Sequence, residues 1–230
     1  MKLAIFSLAM LALLSCSGKE LQDSGLVPLS EAEVSQALKD ALSRGISTSA
    51  ASASRVNGYL DNPQLRIGLP ADADKLENTL RNLGFGAQID RAEQQMNRAA
   101  EQAAARAKPI FIRAITSMSI DDAFDILEGE QDAATRYLID ESYDELQDQF
   151  RPIVVAALDE TSATRYYGEI VKRYNALPLV FDVDPDLADY VTEKAIDGLF
   201  LLMAQEEARI RTISSARSTR LMKRVFGSLD

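Results

Sequence analysis

"IDGLFLLMA", residues 196–204, is the stretch on which the fold turns. Placed on a helical wheel it is apolar nearly all round, and it lacks the polar alternation of a half-buried strand. Such a segment belongs in the buried middle of a helix bundle. Asp186 with Asp189 supplies a start signal upstream, so the pattern predicts a long helix that begins near residue 186 and runs through this centre. Composition agrees, because Trp is absent and Pro is sparse while Ala, Leu, Glu, Gln and Arg are abundant.

The rest of the chain yields helix signals of the same kind. Ser30 with Glu33 forms a capping box followed by Val34, Leu38, Ala41 and Leu42 at helical spacing, which predicts a helix from about residue 31. Asn57-Gly58 and Asn62-Pro63 break it and lead into a short extended segment over Leu65–Pro70. Further helices are predicted over 72–83, closed by Gly84, and over 86–107, with Pro109 opening a continuation. A short one capped by Ser119 and Asp122 ends at Gly129. An amphipathic stretch over 132–158, bent near Pro152, precedes helices over 162–176 and 217–226. No internal repeat and no alternating strand pattern is present. The expected class is all-α: an irregular multi-helix bundle forming a single helical domain over residues 30–230.

The first thirty residues read differently. Lys2 is followed by a twelve-residue apolar stretch, Leu3–Leu14, interrupted only by Ser7, and then by small residues, the order of a secretory signal. Twelve residues make roughly 18 Å of helix, too short to span about 30 Å of hydrocarbon. Leu13-Leu14-Ser15-Cys16 resembles the lipobox of bacterial lipoproteins, and Cys16 is the only cysteine of the chain. Residues 1–15 are therefore expected to be a removable signal peptide and Cys16 the lipidation site, with residues 16–29 a flexible tether. Three acyl chains, at roughly 0.8 kcal/mol per buried methylene, suffice for stable anchoring. Ser17 in place of Asp resembles cargo sorted to the outer membrane, facing the periplasm. An ordinary signal-peptidase site at Ser15-Cys16-Ser17 is the competing reading.

Composition excludes more than it selects. There is no His, which removes Ser-His and Cys-His nucleophile schemes and most zinc sites. The net charge of −10 makes nucleic acid an unsuitable partner. Thirteen acids against Arg136 and Arg151 fall within 121–160, and Asp140, Glu141, Asp144, Glu145 and Asp148 share one helical side, a pattern that fits a solvated face or a cation-binding one. At the opposite end, Arg217, Arg220, Lys223 and Arg224 face away from Leu221, Met222, Val225 and Phe226. That helix either docks on the core or lies on anionic lipid.

Two constellations merit chemical attention. Asp182, Asp184, Asp186 and Glu193 copy four positions of a calcium loop, but Leu187 stands where the sharp turn needs Gly, so no metal site is assigned. Asn97, Arg98 and Glu101 interrupt an Ala-rich helix, and Asp197 interrupts the most apolar one; together they are the candidate buried polar cluster. A buried carboxylate must be paired, hydrogen-bonded or protonated. One reading is a structural bridge from Asp197 to Arg98 that fixes a helix crossing. The other is a carboxylate of raised pKa lining a cleft. No catalytic residue and no cofactor is assigned.

Several stretches together resemble the bacterial family called domain of unknown function 4197. They include Asn97-Arg98-Ala99-Ala100-Glu101, Ala107-Lys108-Pro109, Ala133-Ala134-Thr135-Arg136-Tyr137, Phe150-Arg151-Pro152-Ile153, Tyr190 through Phe200, and Lys223-Arg224-Val225-Phe226-Gly227. The resemblance implies a helical envelope protein with an export signal, and it brings no assigned activity. The expected function is a lipid-anchored binding or scaffold module of the cell envelope, with the membrane and an envelope protein as partners. The alternatives are a carboxylate-dependent hydrolase of envelope material and a carrier of an apolar ligand between helices.

Overall fold

The structure, a computed structural model, describes residues 28–70, 74–121, 123–180 and 182–230. The expected signal peptide, Cys16 and nearly all of the tether lie outside these residues. Among the described residues there are eight α-helices and no strand. They are α1 (Glu31–Ala53), α2 (Asp74–Asn82), α3 (Gly86–Ser117), α4 (Ala123–Glu128), α5 (Ala133–Thr161), α6 (Ala163–Asn175), α7 (Ala188–Thr212) and α8 (Arg220–Phe226).

The four long helices close into a ring, because α1 and α5 each pack against both α3 and α7. Their inward faces supply one continuous apolar core that includes Leu38, Ile46, Met96, Phe111, Phe150, Ile196 and Leu199. Ala99, Ala100, Ala103 and Ala104 are fully buried on α3, so its neighbours approach the helix closely. Helix α6 covers α3 and α5, α2 seals against α3 and α6, and α4 and α8 lie on α1.

Local sequence explains most boundaries. The capping box at α1 forms as expected: Glu33 N–H donates to Ser30 Oγ at 3.3 Å, and Ser30 N–H donates to the Glu33 carboxylate at 3.0 Å. Pro109 does not separate two helices. Helix α3 runs unbroken through it, and the lost backbone bond is offset by burial of Ala107, Ile110, Phe111 and Ala114 on either side. Helix α5 likewise continues through Pro152. Asp186 does not occupy the N-cap of α7; its carboxylate accepts from Ala188 N–H at 2.8 Å in the turn before the helix, and Leu187 takes the cap position.

The last helix is shorter than its charge pattern suggests, starting at Thr219, whose hydroxyl accepts from Met222 N–H at 3.0 Å. Arg217 is not part of an exposed basic face. It is buried, donates to the carbonyls of Ile210 and Arg211 at the end of α7, and pairs with Asp230 at 2.6 Å. Met222, Val225 and Phe226 dock on the core.

Helix ends inside the body are tied by one pair of charges one turn apart on α7. The Glu207 carboxylate accepts from the backbone N–H of Ala134 and Thr135 at 3.0 and 2.8 Å, so it caps the start of α5 from another helix. Arg211 pairs with Glu207 at 2.8 Å and donates to the carbonyls of Leu127 and Ile126 at the end of α4. Anion sits at an N-terminus and cation at a C-terminus, each where the helix dipole favours it. Glu207→Ala leaves the buried Arg211 uncompensated, and a loss of about 3–5 kcal/mol is expected from urea unfolding. Combined replacement of Glu207 and Arg211 by apolar residues costs less than the sum of the two single losses.

Candidate functional site

The polar residues singled out on α3 do one job together. Glu93, Asn97 and Glu101 recur every fourth residue, so they form a buried stripe along one side of the helix, and the connection over residues 54–70 lies against it. Asn97 is fully buried. Its amide oxygen accepts from Ile67 N–H at 2.9 Å, and its amide nitrogen donates to the carbonyls of Ile67 and Glu93, each at 2.8 Å. A side chain thereby supplies the pairing that a neighbouring strand would have given Ile67. Glu93 holds Arg66 at 2.8 Å, and Glu101 accepts from Tyr59 N–H at 3.3 Å. Arg98 bonds Glu101 at 2.7 Å and the Asn57 side chain at 2.9 Å.

The connection is then pressed onto α7. Tyr59 is fully buried, and its hydroxyl donates to the Ala195 carbonyl at 2.7 Å. Burial, with the negative charges of Glu101 and Asp197 nearby, pushes the phenol far above its ordinary range, so it stays a neutral donor. A Cβ on Gly198 would lie 2.9 Å from the Tyr59 ring, which is why the apolar centre of α7 carries a glycine at that position. At the other end of the ring contact, a Cβ on Gly58 would lie 2.4 Å from the Ala53 carbonyl. Tyr190 OH donates to Gly68 and Leu69 carbonyls at 3.1 and 3.3 Å, securing the end of the connection.

Asp197 does not pair with Arg98. Tyr59 stands between the α3 stripe and α7, bonded to both, and the guanidinium of Arg98 is already taken by Glu101 and Asn57. Asp197 instead points outward, about half exposed at 48%. It accepts from Tyr143 OH of α5 at 3.1 Å and lies 3.9 Å from Lys194 Nζ. Partial burial raises its pKa above the ordinary carboxylate range, although the Tyr143 bond and Lys194 act in the opposite direction. Two depressions meet at this residue. One, of about 380 Å³, lies between the connection and α7 and is lined by Gln64, Arg66, Tyr190 and Lys194; the other, of about 240 Å³, lies between α5 and α7 beside Arg136 and Tyr143.

The four predicted residues therefore divide. Asn97, Arg98 and Glu101 come together as a structural clasp, and Asp197 belongs to a surface with Tyr143, Lys194 and Tyr190. Glu93 and Tyr59 escaped the sequence reading; the four-residue period Glu93, Asn97, Glu101 within an alanine run is the signal that would have found Glu93. Among the described residues, no three of Asp, Glu, His or Cys come together to hold a metal ion.

A family model covers residues 28–227, from the entry to α1 through the end of α8, and so embraces the clasp and the α7 surface alike. The chain belongs to the family described as Protein of unknown function (DUF4197). No curated protein and no solved structure matches the chain. The stretches that carry the DUF4197 resemblance include the clasp on α3, Asn97 to Glu101, and the α7 segment from Tyr190 to Phe200 that faces the connection and the two depressions.

Two measurements test this geometry. Asn97→Ala strips Ile67 of both its backbone partners in a buried setting, and a loss of about 2–4 kcal/mol is expected in urea unfolding. For Asp197, a carboxyl NMR titration is expected to give a pKa above that of an ordinary aspartate, and Tyr143→Phe to raise it further by removing a bond to the charged form. Because the folded state disfavours ionisation here, the contribution of this group to stability is present at low pH and is lost as pH rises through the folded pKa.

Proposed function

We propose that this chain is a lipid-anchored binding module of the bacterial cell envelope, held by Cys16 at the outer membrane with its helical body in the periplasm. The observation that carries the binding reading is the division of the polar residues. The buried ones are consumed in holding the 54–70 connection, and what remains at the surface is a recognition face of Asp197, Tyr143 and Lys194, edged by the ring of Tyr190 whose hydroxyl holds the connection, beside two shallow depressions. Aromatic and charged side chains fixed on rigid helices suit protein recognition.

The anchor reading is supported by the apolar stretch Leu3–Leu14, interrupted only by Ser7, and by the sequence Leu13-Leu14-Ser15-Cys16. No described helix is long and apolar enough to cross a membrane. Arg224 of α8 pairs with Glu33 and donates to the Pro28 carbonyl at 3.4 Å, so the first described residues lie beside α8. Exposed Arg220 and Lys223 then lie on the membrane-proximal side, where anionic headgroups favour them.

A second reading, a carboxylate-dependent hydrolase, draws on the raised pKa of Asp197 in a groove. Its difficulty is the second acid. Glu193, one turn earlier on the same helix, bonds Lys194 at 3.1 Å and does not stand across a gap from Asp197.

Metabolic labelling with a radioactive fatty acid and membrane fractionation test the anchor. The wild type is expected to carry label and sediment with outer membranes, and Cys16→Ser to lose the label and appear in the periplasmic fraction. Crosslinking in cells tests the face: Lys194→Glu and Asp197→Lys are expected to lose crosslinked partners at least about tenfold while the body stays folded. An unlabelled wild type overturns the anchor, and unchanged crosslinks overturn the face.

A further inference from the structure

A different cavity, away from the α7 face, carries an inference of its own. Between α2, α3 and α6 lies a recess of about 220 Å³ whose floor is apolar, made by Leu80, Ile170, Phe85 and Tyr166. Arg91 and Arg173 stand on its rim. The Arg173 guanidinium lies 5.1 Å from the centre of the Phe85 ring, and those of Arg91 and Arg165 lie 4.6 and 4.8 Å from the centre of the Tyr166 ring.

The charge at this rim runs against the rest of the molecule. The chain carries 35 acids against 25 bases, and most of its other arginines hold a carboxylate, as Arg44, Arg66, Arg81, Arg98 and Arg211 do. Among the described residues, Arg91, Arg165 and Arg173 hold none, and each guanidinium lies over an aromatic ring. A guanidinium stacked on a ring has its plane fixed and its N–H groups still unused, the state best prepared to meet an incoming carboxylate in a two-bond fork.

Size sets the rest of the ligand. A dry apolar cavity of about 150 Å³ accommodates benzene, so this recess holds one ring or branched chain with a carboxylate at its mouth. It is below the range of about 300–1,000 Å³ usual for larger ligands, so its interior suits a single ring or branched chain better than an acyl chain or a disaccharide. We propose that the recess between α2, α3 and α6 binds a small monocarboxylate on an aromatic or branched apolar body, with the carboxylate gripped by Arg91 and Arg173 and the apolar body against Leu80, Phe85, Tyr166 and Ile170. Glu169, the acid on the lining, opposes a polyanion and adds a partner for an ammonium group. The same chemistry is offered by a free aryl acid and by a hydrophobic amino acid. This site does not depend on the lipid anchor or on the α7 face.

The test is a two-dimensional amide NMR titration of the full chain with phenylacetate, phenylalanine, benzyl alcohol and inorganic phosphate in turn. At least one of the two carboxylates is expected to shift the amides of Gln88, Tyr166 and Ile170 in a saturable manner at or below millimolar concentration. Tighter binding of phenylalanine assigns the amino-acid class, and tighter binding of phenylacetate the free aryl acid. Arg91→Gln and Arg173→Gln, both at exposed positions, are each expected to weaken binding about tenfold or more without moving the urea midpoint. Absence of saturable shifts with both carboxylates overturns the proposal. So does benzyl alcohol or phosphate binding as tightly as the carboxylates, or full binding retained in both arginine variants.

Discussion

The structure depends on one side-chain amide. Asn97, fully buried on the central helix α3, bonds both the N–H and the carbonyl of Ile67, and so holds a stretch of irregular backbone where no strand or helix would satisfy it. The connection over residues 54–70 would otherwise have to stay at the surface in water. With Ile67 fixed, Leu65 and Ile67 enter the core and Tyr59 reaches α7 at Ala195. Glu93 and Glu101, one turn away on either side, extend the same hold to Arg66 and to the Tyr59 backbone.

That hold also decides what α7 presents to solvent. Gly198 receives the Tyr59 ring, which sets the rotation of α7 and leaves Tyr190, Lys194 and Asp197 along the margin of the connection. Helix α5 is fixed against the same helix by Glu207, which caps it, and by Tyr143, which reaches Asp197. The face proposed for recognition is thus built from two helices distant in sequence, α5 and α7, with the 54–70 connection along its margin. Rigid presentation of a few charged and aromatic groups is what a binding surface requires.

Much of the fold was legible in the sequence. The capping box at Ser30, the breaks at Asn57-Gly58 and Asn62-Pro63, and the apolar centre of α7 each act through local physics, and each appears where the pattern puts it. Pro109 misled because tertiary burial outweighs a single missing backbone bond, so α3 runs on through it. Asp197 misled for another reason. A segment apolar nearly all round carries little information about which side faces outward, and the choice was made by Tyr59, more than a hundred residues away. Glu207 reads as an ordinary solvated acid within Gln205-Glu206-Glu207, and only the arrival of the α5 terminus gives it a buried role. Arg217 looked like part of a basic helical face until its carbonyl partners at the end of α7 drew it inside.

The clasp can be examined amide by amide in the unaltered protein. If Asn97 and Glu101 hold the connection as described, the backbone N–H groups of Ile67 and Tyr59 exchange with deuterated water only through global unfolding, as slowly as the middle of α3, despite lying in no helix. Exchange of either amide at the rate of an open surface loop would contradict the account.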